Sequence, residues 1–295
     1  MRIKIVLGIL ACWGMVGWCV GEDLPRICAN VVPLYEPFPE LQPGDWQYEH
    51  REPGQTYTQY RKSLPTVATR QREVLYVQVL GKMKETDQEI VRRTVEYLEI
   101  FYGLQVKRLP AMSLSKVPAT ARRIHPDTGQ RQLQAIFIAQ KIMYPRLPKD
   151  AAAYILLTAE DLWPGEGGNF CFGYAMYQAR VGIWSMARHG DSSNEAEREQ
   201  CLRRTLRVAS HETGHMFSLK HCTKYRCGMN GANSLEEADE TPLEFCPECL
   251  AKLRWACKRK LLPRWEELEN FYDQYDLRPE ADFVRRCLEM VEPEP

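Results

Sequence analysis

His211-Glu212-Thr213-Gly214-His215 carries two histidines four residues apart, and that spacing constrains the backbone more than any other feature of the chain. A helix of about 3.6 residues per turn sends both imidazoles out of one face, where they can share a Zn²⁺ at about 2.0–2.1 Å. Glu212 leaves the same helix beside them, placed to act as general base toward a water at the metal. His221 follows six residues after His215, and a continuous helix would turn it about 240° away. The helix therefore has to end soon after His215 if His221 is to reach the same metal. Three nitrogen ligands leave a fourth position open, which separates a catalytic zinc from a structural one.

The surroundings strengthen a motif that is short enough to arise by chance. Three of the six histidines lie in this stretch, whereas His50, His125 and His189 are scattered and read as surface or loop residues. Cys222 and Cys227 come directly after His221, and Cys246-Pro247-Glu248-Cys249 follows. C-x₄-C with a later C-x₂-C suits a closed tetrahedral zinc site with Zn–S of about 2.3 Å. Such a site does no chemistry but pins the loop between its halves to the end of the active helix. A pair of disulfides is the competing reading, because Cys246 and Cys249 are near enough in sequence to bond each other.

Composition excludes more than it identifies. With 39 Lys and Arg against 39 Asp and Glu the net charge is zero, which gives no electrostatic reason to expect nucleic acid as a partner. No phosphate-cradling glycine loop follows a strand, and Gly165 to Gly168 reads as a surface turn. Arg2 and Lys4 ahead of the apolar run Ile5 to Val20 read as an export signal over 1–21, making the protein secreted or periplasmic. That run falls short of the roughly 20 residues a spanning helix needs, so a retained membrane anchor is the alternative. Export would let some of Cys28, Cys171, Cys201, Cys257 and Cys287 pair, but no pairing follows from the sequence.

Between these landmarks the pattern is α/β. Residues 22–69 are rich in Pro, Gly and Tyr without a helical period and read as an extended lead-in on the surface. Glu73 to Leu80, Gln105 to Leu109 and Tyr154 to Thr158 read as strands. Helices are expected from Thr86 or Asp87 to Tyr102, closed by Gly103, and from Arg131 to Met143. Alternating strands and helices imply a mixed, mainly parallel sheet in one catalytic domain over 70–260. Phe172 to Ala175 and Arg180 to Met186 read as a strand pair lying partly at an edge. The active helix is expected to start near Ser192 or Ser193, with Ser192 and Glu195 as a capping box. Leu250 to Lys258, Arg264 to Tyr275 and Glu280 to Val291 read as packing helices, the last two in an extension over 261–295.

Taken together, H-E-x-x-H-x-x-S-x-x-H-C-x₄-C-x-M with the later C-x₂-C, over Ser210 to Cys249, resembles the archaemetzincins, zinc metallopeptidases of the metzincin group. Pro43-Gly44-Asp45-Trp46, Pro53-Gly54-Gln55-Thr56 and Arg180-Val181-Gly182-Ile183-Trp184-Ser185 are also similar to that family, so the likeness runs from about residue 40 to about 255. The resemblance implies a metzincin-like domain with a small Cys₄ zinc subdomain, and two zinc ions per chain. His211, His215 and His221 would hold the catalytic one, and Cys222, Cys227, Cys246 and Cys249 the structural one. It implies Glu212 as general base and Met229 in a turn beneath the catalytic metal. The chain departs from the family motif at Ser218, where the family has glycine. A serine forced to positive φ costs on the order of 1 kcal/mol, so a slightly altered turn is expected there.

The reading that follows is zinc-assisted hydrolysis of a peptide bond in a peptide or protein substrate, with Arg180 to Ser185 available to pair with an extended substrate strand. A zinc-binding scaffold without peptidase activity, and a zinc hydrolase acting on another bond, are the alternatives.

Overall fold

The computed structural model describes residues 24–166 and 168–291, so the export segment expected over 1–21 lies outside them. At its centre is a strand without a single charged side chain. Ala151–Thr158 (β5) is buried at every position, as a strand covered on both faces must be. Val74–Leu80 (β1) and Val181–Ser185 (β8) pair with it in parallel, and Val106–Arg108 (β2) pairs in parallel with β1. Gly173–Met176 (β7) closes the sheet antiparallel to β8, giving the order β2-β1-β5-β8-β7. The period of two sorts β5 between two cores. Ala153, Ile155 and Leu157 join the larger one, while Tyr154 and Leu156 face the smaller one on the other side.

The lead-in is more structured than its composition implies. It forms the short helices Arg26–Asn30 (α1), Trp46–Glu49 (α2) and Tyr57–Lys62 (α3), and buries Cys28, Val31, Tyr35, Tyr57 and Tyr60. Helices of four to six residues are too short to show a period in sequence. Tyr60 Oη donates to Phe217 O at 2.8 Å, and Tyr35 Oη donates to Phe245 O at 2.9 Å. The lead-in is thereby fastened to the segment after the active helix.

Glu85–Tyr102 (α4) packs Ile90, Val91, Thr94, Leu98 and Phe101 inward as its spacing requires, and Gly103 at φ 64° closes it. Its N-cap is Lys84, without a side-chain cap. Asp87 instead lies in the first turn, where its carboxylate accepts from Ser192 Oγ at 2.5 Å. The expected helix over Arg131 to Met143 is corrected at its start. Arg131–Gln134 (β4) is a strand, antiparallel to Arg122–Ile124 (β3) and parallel to Asp161–Trp163 (β6). Buried Gln132 holds it there by donating to Asp161 Oδ2 at 2.8 Å and Asn169 O at 2.9 Å. Only from Ala135–Phe137 (α5) does the chain coil, continuing as a π turn over Ile138–Met143. Leu133, Ile136 and Phe137 suited a helical stripe, but β3, one turn before it in the chain, and β6, further along, claim β4 as a strand.

Glu195–Met216 (α6) lies beside α4 on the larger core, and Leu235–Asp239 (α7) follows in the loop beyond it. Pro247–Cys257 (α8), Leu261–Gln274 (α9) and Arg278–Glu289 (α10) complete that core with Leu250, Trp265, Phe271, Val284 and Cys287. Among the described residues no two cysteines form a disulfide, and no helix is long and apolar enough to cross a membrane.

Two histidines read as surface or loop residues are buried. His125 Nδ1 accepts the backbone N–H groups of Asp127 at 3.1 Å and Thr128 at 3.3 Å, capping its own turn. His189 is fully buried and its Nδ1 lies 2.9 Å from Thr205 Oγ1. The Thr205 hydroxyl donates to Cys201 O at 2.7 Å, so Nδ1 carries the proton and Nε2 remains without a partner. Burial, reinforced by the Arg204 and Arg207 guanidiniums, pushes His189 down to about 3. The unfolded chain takes up this proton near pH 6.5, whereas the folded protein does so only near pH 3. Stability is therefore lost as pH falls through this window, by up to about 1.4 kcal/mol per pH unit. His189→Gln is expected to flatten the acid side of the unfolding midpoint against pH. Parallel curves for the two proteins between pH 6.5 and 5 would count against this assignment.

Candidate active site and metal centres

Helix α6 begins one to two residues beyond its expected cap. Asn194 is the N-cap, its Oδ1 accepting from Ala196 N at 3.1 Å, because Ser192 Oγ is committed to Asp87. At the other end the helix stops as His221 requires. Ser218 N–H bonds to His215 O at 2.8 Å and Leu219 N–H to Gly214 O at 3.1 Å, the two bonds of a Schellman motif. Ser218 occupies the left-handed position at φ 67°. Its hydroxyl compensates by accepting Thr66 N–H at 3.0 Å. Strain and bond are each on the order of 1 kcal/mol, so they nearly cancel. Ser218→Gly is thus expected to be close to neutral in urea unfolding, whereas Ser218→Ala keeps the strain, loses the bond and costs about 1 kcal/mol. Equal stability of the two variants would contradict that division.

The turn brings His221 back over the helix. Its ring centroid lies 5.3 Å from that of His211 and 4.9 Å from that of His215, which are themselves 4.5 Å apart. Each Nδ1 has an acceptor: Gly228 O at 2.9 Å for His211, Leu219 O at 2.7 Å for His215 and Glu52 Oε2 at 2.7 Å for His221. Carbonyl and carboxylate oxygens only accept, so Nδ1 donates in all three rings and the Nε2 lone pairs are left to point inward. The Nε2 atoms of His211 and His215 stand 3.0 Å apart with no proton to share. Facing lone pairs at that distance repel unless a cation lies among them. The ligand atoms of all three histidines fall within 4.8 Å of one another, which suits one ion. Burial pushes His211 down to about 3 and His215 well below its ordinary value, keeping both neutral as ligands must be.

Glu212 is buried beside them, and burial raises its carboxyl to about 8. It rests against the backbone of Gly173 in β7, where an added Cβ would come within 2.5 Å of Oε1. A cleft of about 450 Å³ opens here, lined among others by Trp46, Phe172, Tyr177, Arg207 and Asn230. Met229 is fully buried under α6, and a Cβ on Gly214 would meet its Sδ at 2.6 Å. The turn around it carries Gly228 O, the acceptor for His211.

The second cluster is equally well defined. The Sγ atoms of Cys222, Cys227, Cys246 and Cys249 lie within 4.8 Å of one another, and all four residues are buried. Cys222 and Cys246 are 3.5 Å apart at sulfur, far beyond the covalent S–S length of about 2.05 Å. Cys227 Sγ accepts the backbone N–H groups of Cys246 at 3.1 Å and Met229 at 3.4 Å. Hydrogen bonds from the other three thiols hold Cys222 well below its ordinary value, while burial pushes Cys227 and Cys246 up. Four buried sulfurs, one of them with two backbone donors directed at it, fit a closed, thiophilic cation site.

Every site residue expected from sequence falls in one of these two clusters or, for Glu212, beside the first. One expectation is corrected. Arg180 to Ser185 cannot receive a substrate strand, because β8 is bonded to β5 on one side and β7 on the other. The outer strand is β7. Sequence reading also missed Glu52 and Trp46 from the lead-in, Asn230, and Tyr177. Asn230 ties the loop together by donating to Cys222 O at 2.7 Å and Tyr225 O at 3.0 Å. The Tyr177 ring lies 5.0 Å from that of His215 at the exposed edge of the cleft. Nothing local marks these residues: Glu52, Trp46 and Tyr177 act on partners distant in sequence, Asn230 acts within its own loop, and only the Pro-Gly-Asp-Trp likeness hinted at Trp46.

Known proteins agree with this geometry. The model of peptidase family M54 matches residues 67–255. The chain belongs to the archaemetzincins. Archaemetzincin-2 of Homo sapiens is 32% identical over 276 residues, covering 81% of this chain and 75% of the relative. The archaemetzincin of Pyrococcus abyssi is 32% identical over 154 residues, 52% of this chain and 79% of that one. The crystal structure of the archaemetzincin of Methanopyrus kandleri superposes with a TM-score of 0.53 at 27% identity, covering 65% of this chain and 99% of that one. Membership makes the chain a zinc metallopeptidase, a hydrolase acting on peptide or protein substrates.

Proposed function

We propose that the chain holds two zinc ions and hydrolyses peptide bonds in an extended substrate lying along β7, with Glu212 as general base. The observation that carries this is the convergence of three Nε2 lone pairs on one point beside the Glu212 carboxylate, at the floor of an open cleft. Zinc held by His211, His215 and His221 supplies Lewis acidity toward water and toward the scissile carbonyl. Glu212 takes the proton of the attacking water on a carboxylate oxygen and passes it to the leaving amine. A buried carboxylate whose conjugate acid is weak suits both halves of that transfer. The outer edge of β7 offers unpaired backbone groups next to the cleft, so a substrate strand added there passes directly over Glu212. The four cysteines hold the second zinc, which does no chemistry and keeps His221 in place.

The test is cleavage of an unbiased peptide library by the zinc-loaded protein, with products read by mass spectrometry. New termini that vanish on chelation and return with zinc are expected. No cleavage of any peptide by protein with zinc at the histidine site would leave the chain as a zinc-binding scaffold.

A further inference from the structure

His221 differs from the other two ligands in what anchors it. His211 and His215 sit on α6 and donate Nδ1–H to backbone carbonyls, whereas His221 sits on a loop and donates to a side chain, Glu52 Oε2, at 2.7 Å. The same oxygen receives Trp46 Nε1–H at 3.3 Å, and the indole stands edge-on to the His221 ring with centroids 5.4 Å apart. Trp46 is itself held across the loop, its backbone N–H donating to Glu237 Oε1 at 2.7 Å.

These contacts belong to a longer grip. Phe38 N–H bonds to Lys224 O at 3.0 Å and Arg226 N–H to Glu36 O at 2.9 Å. Lys220 N–H bonds to Gln55 Oε1 at 3.3 Å, and Asn233 Nδ2 to Gly44 O at 3.0 Å. Residues 36–66 thus hold the stretch 218–237 on both sides of His221, and Glu52 is where this strap hydrogen-bonds to a ligand of the metal site. The strap lies ahead of residue 67, where the match to the M54 family model begins.

We infer that Glu52 is a positioning residue for the third zinc ligand, and that the strap carrying it is part of the metal site. A carboxylate on Nδ1 fixes the tautomer that leaves Nε2 free, orients the ring and raises its donor strength. Trp46 fixes the carboxylate in turn. The inference rests on the three histidines holding zinc, but not on peptide hydrolysis.

Zinc affinity at the two sites of the full-length protein, measured by competition with a chromophoric chelator, tests it. Glu52→Ala is expected to weaken one zinc by about 10- to 100-fold and to leave the cysteine-bound one unchanged. Cobalt(II) placed at the histidine site should show an altered visible spectrum in Glu52→Gln, which keeps the side-chain shape and removes the charge. An affinity within twofold of the parent, with an unchanged cobalt spectrum, would overturn the inference. Should Glu52→Ala lower the unfolding midpoint as well, Glu52→Gln decides alone: weaker zinc supports the role and unchanged zinc refutes it. Failure of library cleavage leaves these measurements untouched, and a null result here leaves the cleavage reading standing.

Discussion

Glu212→Ala is expected to keep zinc at His211, His215 and His221 while lowering turnover by about 10²–10⁴-fold, the usual contribution of a positioned general acid–base. The separation of binding from turnover follows from where the carboxylate sits. It touches the Gly173 backbone rather than any ligand ring, and among the described residues it accepts no hydrogen bond that holds the histidines. Glu212→Gln is the sharper variant, since it preserves volume and removes only the basic oxygen. Measured together, one zinc per histidine site by atomic emission and a lost kcat establish the role. Hydrolysis retained at the parental rate in either variant would refute it, and zinc lost alongside activity would place Glu212 in metal binding instead.

Removing one sulfur should have the larger structural effect. Cys246→Ala or Cys227→Ser is expected to release the second zinc and to destabilise the domain by more than about 5 kcal/mol, since binding at such closed sites is folding free energy. The damage should spread to the histidine site. Cys222 follows His221 directly, and the turn after Cys227 holds both Gly228 O, the acceptor for His211, and Met229 beneath α6. Zinc content should fall from two per chain to one or fewer, and the remaining zinc should exchange faster with chelator. A parent protein with one zinc and no titratable thiols in this segment would contradict the premise. So would a cysteine variant that retains parental stability.

What the sequence made legible was what depends on near neighbours. The H-E-x-x-H spacing demanded a helix ending after His215, and it ends in a Schellman turn with Ser218 at φ 67°. Tyr154 to Thr158 read as a strand and forms the later part of β5, while its cover on both faces comes from the fold. The features that escaped depend on contacts that local spacing does not reveal. Arg131 to Gln134 looked helical until β3, a short turn before it, and β6, further along, claimed it, and His189, read as a surface or loop residue, is buried against Thr205 of α6. Glu52 is an ordinary acid in a Pro- and Gly-rich stretch until the fold sets it against His221. The α6 cap was misplaced for a subtler reason. Ser192, Ser193 and Asn194 all suit the position, and only the competing claim of Asp87 on Ser192 decides among them.

A single peptide bond joins His221 to Cys222, and that adjacency couples the two clusters. Whatever fixes Cys222 in the sulfur cage also fixes the backbone from which His221 reaches toward α6, and the coupling is reciprocal. In the two-zinc reading each centre therefore raises the affinity of the other, and the pair behaves as one unit rather than as an active site with a separate clasp.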